Sequence, residues 1–432
     1  MTSAQSTCGD RTPDPELIRE AKKTYEKYIK WQRFLLRYAG LWPKQSHWSK
    51  LTCWLYDIYA FTLVLYFFYL NTTLYYTVRE VWGDLFDVIE ACSGVLSSVL
   101  MVQKACKVLS NREKIREIND IMRELWIDGW CKHEKVIRCL MLKSSFTVKI
   151  VSAIYMIPFI LTVVAYPLAP YTSLIAQRKA NVSEEELMYF LPYMIQIPWL
   201  DMSNSITYGI AYAIAATGGF LPIFWIGGID TIFVAYLSQT CLQLDLLAVE
   251  FKDTVNGKET MNLRDSNHVE YSKKQKLRLY QCIEKHKTII RIGELMEEVF
   301  SQMMLGMWVI STISMCAIMF QGVMATKHGN RIQFISFYLS EMGQVFMFCW
   351  IGEALIEKSC SLSQEIYSSM WYNVGKTVSK DLIFIMRRAQ RPICITAGGF
   401  ANVSMELYTT VGEIDANIQN NCKVRVKMII QF

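Results

Sequence analysis

At 432 residues the chain has the length of two or three soluble domains, yet 52% of its residues are hydrophobic, 13% aromatic and only 19% charged. With a mean hydropathy of +0.18, it carries more apolar surface than a water-exposed fold can hide. A formal net charge of +6 is modest and calls for no nucleic-acid partner. The thirteen cysteines are odd in number and lack paired spacing, so they read as reduced thiols. The five histidines form no metal-ligand spacing with cysteine, and neither a metal nor a cofactor is expected.

The first 52 residues are polar and charged, without the apolar core of a cleavable signal. Apolar blocks follow at residues 53–75, 85–102, 146–169, 206–249, 299–320 and 334–355. Most have the roughly 20-residue length that spans a hydrocarbon core as helix. The fourth is twice that length. It reads either as two spans broken at Gly227-Gly228-Ile229-Asp230 or as one helix projecting beyond the bilayer. The single helix is preferred, because two spans would move the basic segment 252–291 to the opposite side. A seventh apolar stretch opens at Ile393 and fails early. The connections are long and amphipathic; Leu277, Tyr280, Ile283, Ile290 and Leu295 recur near helical spacing. This predicts helices that leave the membrane and pack together, rather than a helix lying on anionic lipid.

Orientation follows from the basic residues. Connections 1–52, 104–144, 249–297 and 356–392 hold 36 of the 45 Lys and Arg, while those on the other side hold five. Basic loops stay in the cytoplasm, so the amino terminus is expected inside. The sequons agree: Asn181-Val-Ser and Asn71-Thr-Thr fall outside, as candidate glycosylation sites, and Asn402-Val-Ser falls inside.

No nucleophile elbow, phosphate loop or metal motif is present, and no enzymatic activity is expected. Acids within spans are costly and demand a role. For Glu90 and Glu341 a polar cavity and a structural hydrogen bond weigh about equally; Asp87 reads as structural, and Lys149 as snorkelling. Val88, Tyr155, Phe159, Thr162, Tyr208, Ala211, Tyr212, Phe337 and Tyr338 combine greasy walls, space and hydroxyls in the outer halves of the spans. A pocket for a small apolar ligand needs that mixture, although lipid contact or packing is the commoner role for any single one.

Four segments carry a resemblance to a known family. They are LPYMIQIPWLDMSNSITYGIAY before the fourth span, and YQCIEKHKTIIRIGELMEEVFSQMML entering the fifth. FCWIGEALIEKSCSLSQEIYSSMWYN follows, with Gly352, Ser359, Tyr367, Trp371 and Tyr372, and then RRAQRPICITAGGFANVSMELYTTV, with Pro392, Ala397-Gly398 and Ser404-Met-Glu406. From about residue 191 to 411 the chain resembles the insect odorant receptors, as an odorant-specific subunit rather than the co-receptor.

The resemblance implies an all-α integral membrane protein of seven-helix insect chemoreceptor architecture with inverted topology. It implies a non-selective cation channel gated by a small volatile odorant, assembled with a shared co-receptor as a heterotetramer in the plasma membrane of sensory neurons. The odorant pocket would lie in the outer half of spans two to six. Trp371, Tyr372, Pro392, Gly398 and Glu406 would belong to the cytoplasmic anchor between subunits, and the last helix would line the pore. The chain then divides into a cytoplasmic segment 1–52, six spans over 53–355, an anchor and start of helix seven over 356–411, and an atypical polar tail 412–432.

That tail is the departure. After Val411 the sequence GEIDANIQNNCKVRVKMIIQF is too polar to cross a bilayer, so the seventh transmembrane helix reads as incomplete. A retained intron or a mis-joined gene model accounts for it, and the chain alone is not expected to conduct. A G-protein-coupled receptor would place its amino terminus outside and lacks this charge bias. A transporter would show repeat symmetry, and a gustatory receptor shares the topology but not the stretch around Trp371 and 392–406.

Overall fold

The computed structural model describes residues 14–45, 48–132, 135–180, 191–194, 197, 205–256, 268–324, 328–414 and 416. Ahead of the carboxyl-terminal hairpin, the α-helices among these residues are α1 (Pro15–Tyr28), α2 (Lys30–Tyr38), α3 (Lys50–Glu80), α4 (Leu85–Ser110), α5 (Arg112–Lys132), α6 (Lys135–Lys179), α7 (Ser205–Asn256), α8 (His268–Met324), α9 (His328–Tyr367) and α10 (Lys376–Ala389). A two-stranded hairpin, β1 (Thr396–Ala397) and β2 (Ala401–Asn402), closes the series, and residues 405–414 are helical again. Six of the helices (α3, α4, α6, α7, α8 and α9) are long and apolar enough to cross a membrane.

Local chemistry sets the helix starts. Asp14 accepts from Glu16 N (3.0 Å), ahead of Pro15 at the first turn. Ser49 accepts from Thr52 N (3.1 Å), and Asp84 accepts from Phe86 N (2.9 Å) and Asp87 N (3.3 Å). Each oxygen satisfies an amide that the helix itself leaves open. Asp87 sits in the first turn of α4, where the helix dipole favours a carboxylate.

The long helices continue past the expected span ends. α7 and α8 have 52 and 57 residues, so at 1.5 Å per residue they run for about 78 and 86 Å, far beyond a hydrocarbon core of roughly 30 Å. The fourth apolar block is therefore one helix. Its Gly227-Gly228 pair is no break: a Cβ on Gly228 would stand 3.0 Å from Leu36 of α2, and one on Gly227 2.7 Å from Met156 of α6. The two glycines let neighbouring helices approach α7 closely.

The amino-terminal segment packs into the fold, with Ala21, Tyr25, Tyr28, Leu35 and Leu36 buried. Tyr28 donates to Ala235 O of α7 (2.6 Å) and stacks on Trp126 of α5 (ring centroids 5.2 Å). On α8 the buried face carries Leu279, Cys282, Ile289, Ile292, Leu295 and Met296, whereas Leu277 and Tyr280 are exposed. The packed bundle is present: of the residues that the apolar spacing picked out, Leu295 is buried, Ile283 and Ile290 pack half-buried against the core, and Leu277 and Tyr280 face outward. Finally, residues 393–404 hold the hairpin instead of the opening of a helix. Gly398 and Gly399 have φ +64° and +81°, and Phe400 N bonds Ala397 O (3.1 Å). Two adjacent positive φ values favour a hairpin turn and stop a helix.

Candidate functional site

A cavity of about 190 Å³ opens between α3, α4, α6, α7, α8 and α9. One stripe of α4 walls it: Glu90, Ser93, Gly94, Ser97 and Met101, spaced three and four residues apart as one helix face requires. Phe67, Leu70 and Leu74 come from α3, Phe159, Thr162 and Tyr166 from α6, and Gly218, Gly219, Pro222 and Ile226 from α7. Gln321 of α8 and Phe337 and Glu341 of α9 complete the ring.

Tyr193 closes the cavity from the segment before α7. It is the non-glycine residue with positive φ among those described (60°), a conformation uncommon for an aromatic side chain. The ring is held in place by stacking on Tyr166 (centroids 5.2 Å, 9° between planes), and its hydroxyl donates to Val163 O (3.2 Å). The space it fills exists because residue 219 is glycine; a Cβ there would collide with the tyrosine hydroxyl.

One turn deeper on four of the helices, the apolar wall gives way to a charged network. Met101 leads to Lys104 on α4, Phe159 to Tyr155 on α6, Ile226 to Asp230 on α7 and Glu341 to Gln344 on α9. Lys104 Nζ lies 2.8 Å from Asp230 Oδ1, with both side chains buried at 1% and 0% exposure. Tyr155 donates to Asp230 Oδ2 (2.8 Å), as does Gln344 Nε2 (2.5 Å), which also reaches the Tyr155 hydroxyl (3.0 Å). Ser311 of α8 donates to Glu341 Oε2 (2.7 Å). Every charge in this dry layer has a partner, as burial demands.

The sequence-chosen residues divide accordingly. Phe159, Thr162, Phe337, Glu90 and Glu341 line the cavity, and Tyr155 belongs to its floor. Tyr208, Ala211, Tyr212, Val88 and Tyr338 lie outside the lining. Tyr212 donates to Pro167 O (2.6 Å), holding α7 against α6, and Tyr208 packs on it (6.0 Å). Ala211 is fully buried in the core, Val88 is half-buried on α4, and Tyr338 packs beside Ile318 and Phe334. The apolar-aromatic pattern picks out α4, α6, α7 and α9, passes over α3 and α8, and cannot resolve which face of each helix turns toward the cavity. Lys104 belongs to the bundle interior rather than to a basic connection, because α4 runs on to Ser110. A charge of each sign inside long apolar runs was the available signal.

Among the sequons, Asn71 is tied inward, donating to Phe67 O and to Ser98 Oγ, both at 2.8 Å. That geometry occupies the nitrogen a glycan would need. Asn181 lies outside the described residues.

Away from the cavity, the hairpin docks on α8 and α9. Gly398 N donates to Ser301 O (3.0 Å), Thr396 N to Glu297 Oε2 (2.8 Å), Ile393 N to Ser359 Oγ (3.0 Å) and Met405 N to Glu353 Oε2 (3.1 Å). A Cβ at Gly352 would strike Val403 O. Burial pushes the Cys394 thiol up, with Glu297 and Cys360 adding to the effect. Trp371 packs against Tyr367 and Tyr372, and Tyr372 is largely exposed. Pro392 and Glu406 are exposed, and Gly398 is the hairpin turn.

Six membrane-length helices around a mostly apolar cavity define a multi-pass membrane protein built as a small-ligand receptor. Residues 84–414 match the family model of the 7tm odorant receptors, and the chain belongs to that family. It is 24% identical over 400 residues to Odorant receptor 13a of Drosophila melanogaster, covering 87% of this chain and 90% of that one. It is 28% identical over 166 residues to the odorant receptor coreceptor of Aedes albopictus, covering 37% of this chain and 33% of that one. Its fold matches the insect olfactory receptor OR5 of Machilis hrabei in complex with eugenol. That match has a TM-score of 0.77 and 16% identity, and covers 92% of this chain and 97% of that chain.

Proposed function

We propose that the chain is an odorant-specific receptor subunit that binds a small volatile hydrophobic ligand in the cavity between α3 and α9 and gates a non-selective cation channel. The observation that carries this reading is the cavity itself, with aromatic walls and a few hydroxyls, in a member of the odorant receptor family. The chain works with a shared co-receptor in a heterotetramer, in the plasma membrane of sensory neurons. The likeness to the Aedes albopictus coreceptor supports that partnership. Trp371, Tyr372, Pro392, Gly398 and Glu406 form the anchor between subunits; the exposed aromatics Tyr367, Tyr372 and Phe400 at that end support it. The amino terminus and the basic connections face the cytoplasm, because charge segregates that way along the chain.

The test is to co-express the chain with the co-receptor and screen volatile compounds by current. Ligand-evoked current that falls when Phe159 or Phe337 is replaced by Ala is the expected result. A panel that evokes no current in surface-expressing cells would overturn the reading. An amino-terminal tag accessible from outside the cell would overturn the orientation.

A further inference from the structure

The lining of the cavity is mostly apolar and carries two acids, Glu90 on α4 and Glu341 on α9, of which Glu90 is uncompensated. No Lys, Arg or His is among the lining residues. Lys104, the nearest buried cation, is committed to Asp230 at 2.8 Å. Its action on Glu341 is opposed by that of Asp230, and Glu341 also holds the Ser311 hydroxyl. Glu90 has no such arrangement. Its electrostatic neighbours are Asp87 and Tyr166, neither of them a cation, and no hydrogen bond to its carboxylate is formed among the described residues. Two turns deeper on the same stripe of α4, Ser97 Oγ is buried without a partner. Both groups line the same cavity. A carboxylate in a low-dielectric pocket is costly while unpaired, and a ligand that brings a donor to Glu90 offsets that cost.

We infer that Glu90 selects ligands with a protonated amine head on a small apolar body, the ammonium meeting its carboxylate while the body lies against Phe67, Phe159 and Phe337. A neutral alcohol offers a single donor and no charge, and a hydrocarbon leaves Glu90 and Ser97 unpaired. The inference rests on the proposed receptor reading, and it names the chemistry of the ligand.

The purified full chain in detergent at neutral pH is melted with nine probes. These carry phenylethyl, cyclohexyl or heptyl bodies, each with an amine, an alcohol or a methyl head. Ligand binding raises the melting temperature with concentration, and this readout needs no conducting pore. For at least one body, the amine is expected to half-saturate at a concentration at least tenfold below its alcohol, a difference of about 1.4 kcal/mol. In Glu90→Gln that gap closes, the amine weakening toward its alcohol. Amines no better than alcohols in the wild-type chain overturn the inference and leave the receptor reading intact. A gap that survives Glu90→Gln does the same. If all nine probes fail to stabilise the chain, the cavity reading falls and the inference with it. Should Glu90→Gln not fold, the wild-type ranking of heads decides.

Discussion

Lys104 and Asp230 show how one residue's surroundings can reverse its apparent role. Along the chain Lys104 sits in a basic stretch and Asp230 follows a glycine pair; in space each is the other's counter-ion, buried to within 1%. Replacing Lys104 by Met strands Asp230 in a dry interior and is expected to cost about 3–5 kcal/mol. The melting temperature in detergent should fall sharply, and the double variant Lys104→Met, Asp230→Leu should recover much of the loss. Full stability of the single variant would show that water reaches the site. Gly219 is the second position where one atom decides. Its Cβ would occupy the site of the Tyr193 hydroxyl, so Gly219→Ala should displace the ring and cost about 1–3 kcal/mol by overpacking. Ligand-induced stabilisation should fall with it, while Tyr193→Phe keeps the stack on Tyr166 and the closed cavity.

At the level of elements, the six spans and the unbroken α7 are legible because hydrophobic blocks and charge segregation are properties of composition. The faces are not. Leu277 and Tyr280 look like interface residues by spacing, yet α8 turns Leu279, Cys282 and Ile289 inward, since α8 is apolar on more than one side there and packing chooses among its faces. Tyr208 and Tyr212 are read as pocket residues because aromatic side chains signal binding and packing alike; only the bond from Tyr212 to Pro167 O tells them apart. Tyr193 escaped notice because nothing in an isolated Pro-Tyr-Met sequence announces a left-handed backbone. The hairpin is a tertiary effect as well. Gly398-Gly399 supplies the turn, but the docking of β1 on α8 fixes it. Gly352→Ala would push a methyl into Val403 O. It should loosen the hairpin, raising the protease sensitivity of residues 393–404 ahead of global unfolding, while leaving ligand binding in the distant cavity unchanged. A loss of both together would mean that the two ends melt as one unit.

For the molecule as a whole, the amino-terminal helices join the packed bundle. α1 and α2 bury Tyr25, Tyr28 and Leu36 against α5 and α7, with Tyr25 donating to Asn119 Oδ1 (3.1 Å) and Trp126 Nε1 to Thr24 Oγ1 (3.1 Å). Deleting residues 1–38 is therefore expected to uncover α7 and cause aggregation in detergent, measurable by size-exclusion chromatography. A monodisperse deletion variant would refute this. α8 reaches the cavity through Gln321 near one end and holds the hairpin through Glu297 and Ser301 nearer its middle. Glu297 lies 24 residues from Gln321, about 36 Å along the helix, so a rigid tilt of roughly 3° about the cavity end would shift the hairpin contacts by about 2 Å. One continuous helix therefore gives a small adjustment around a bound molecule a lever on the hairpin.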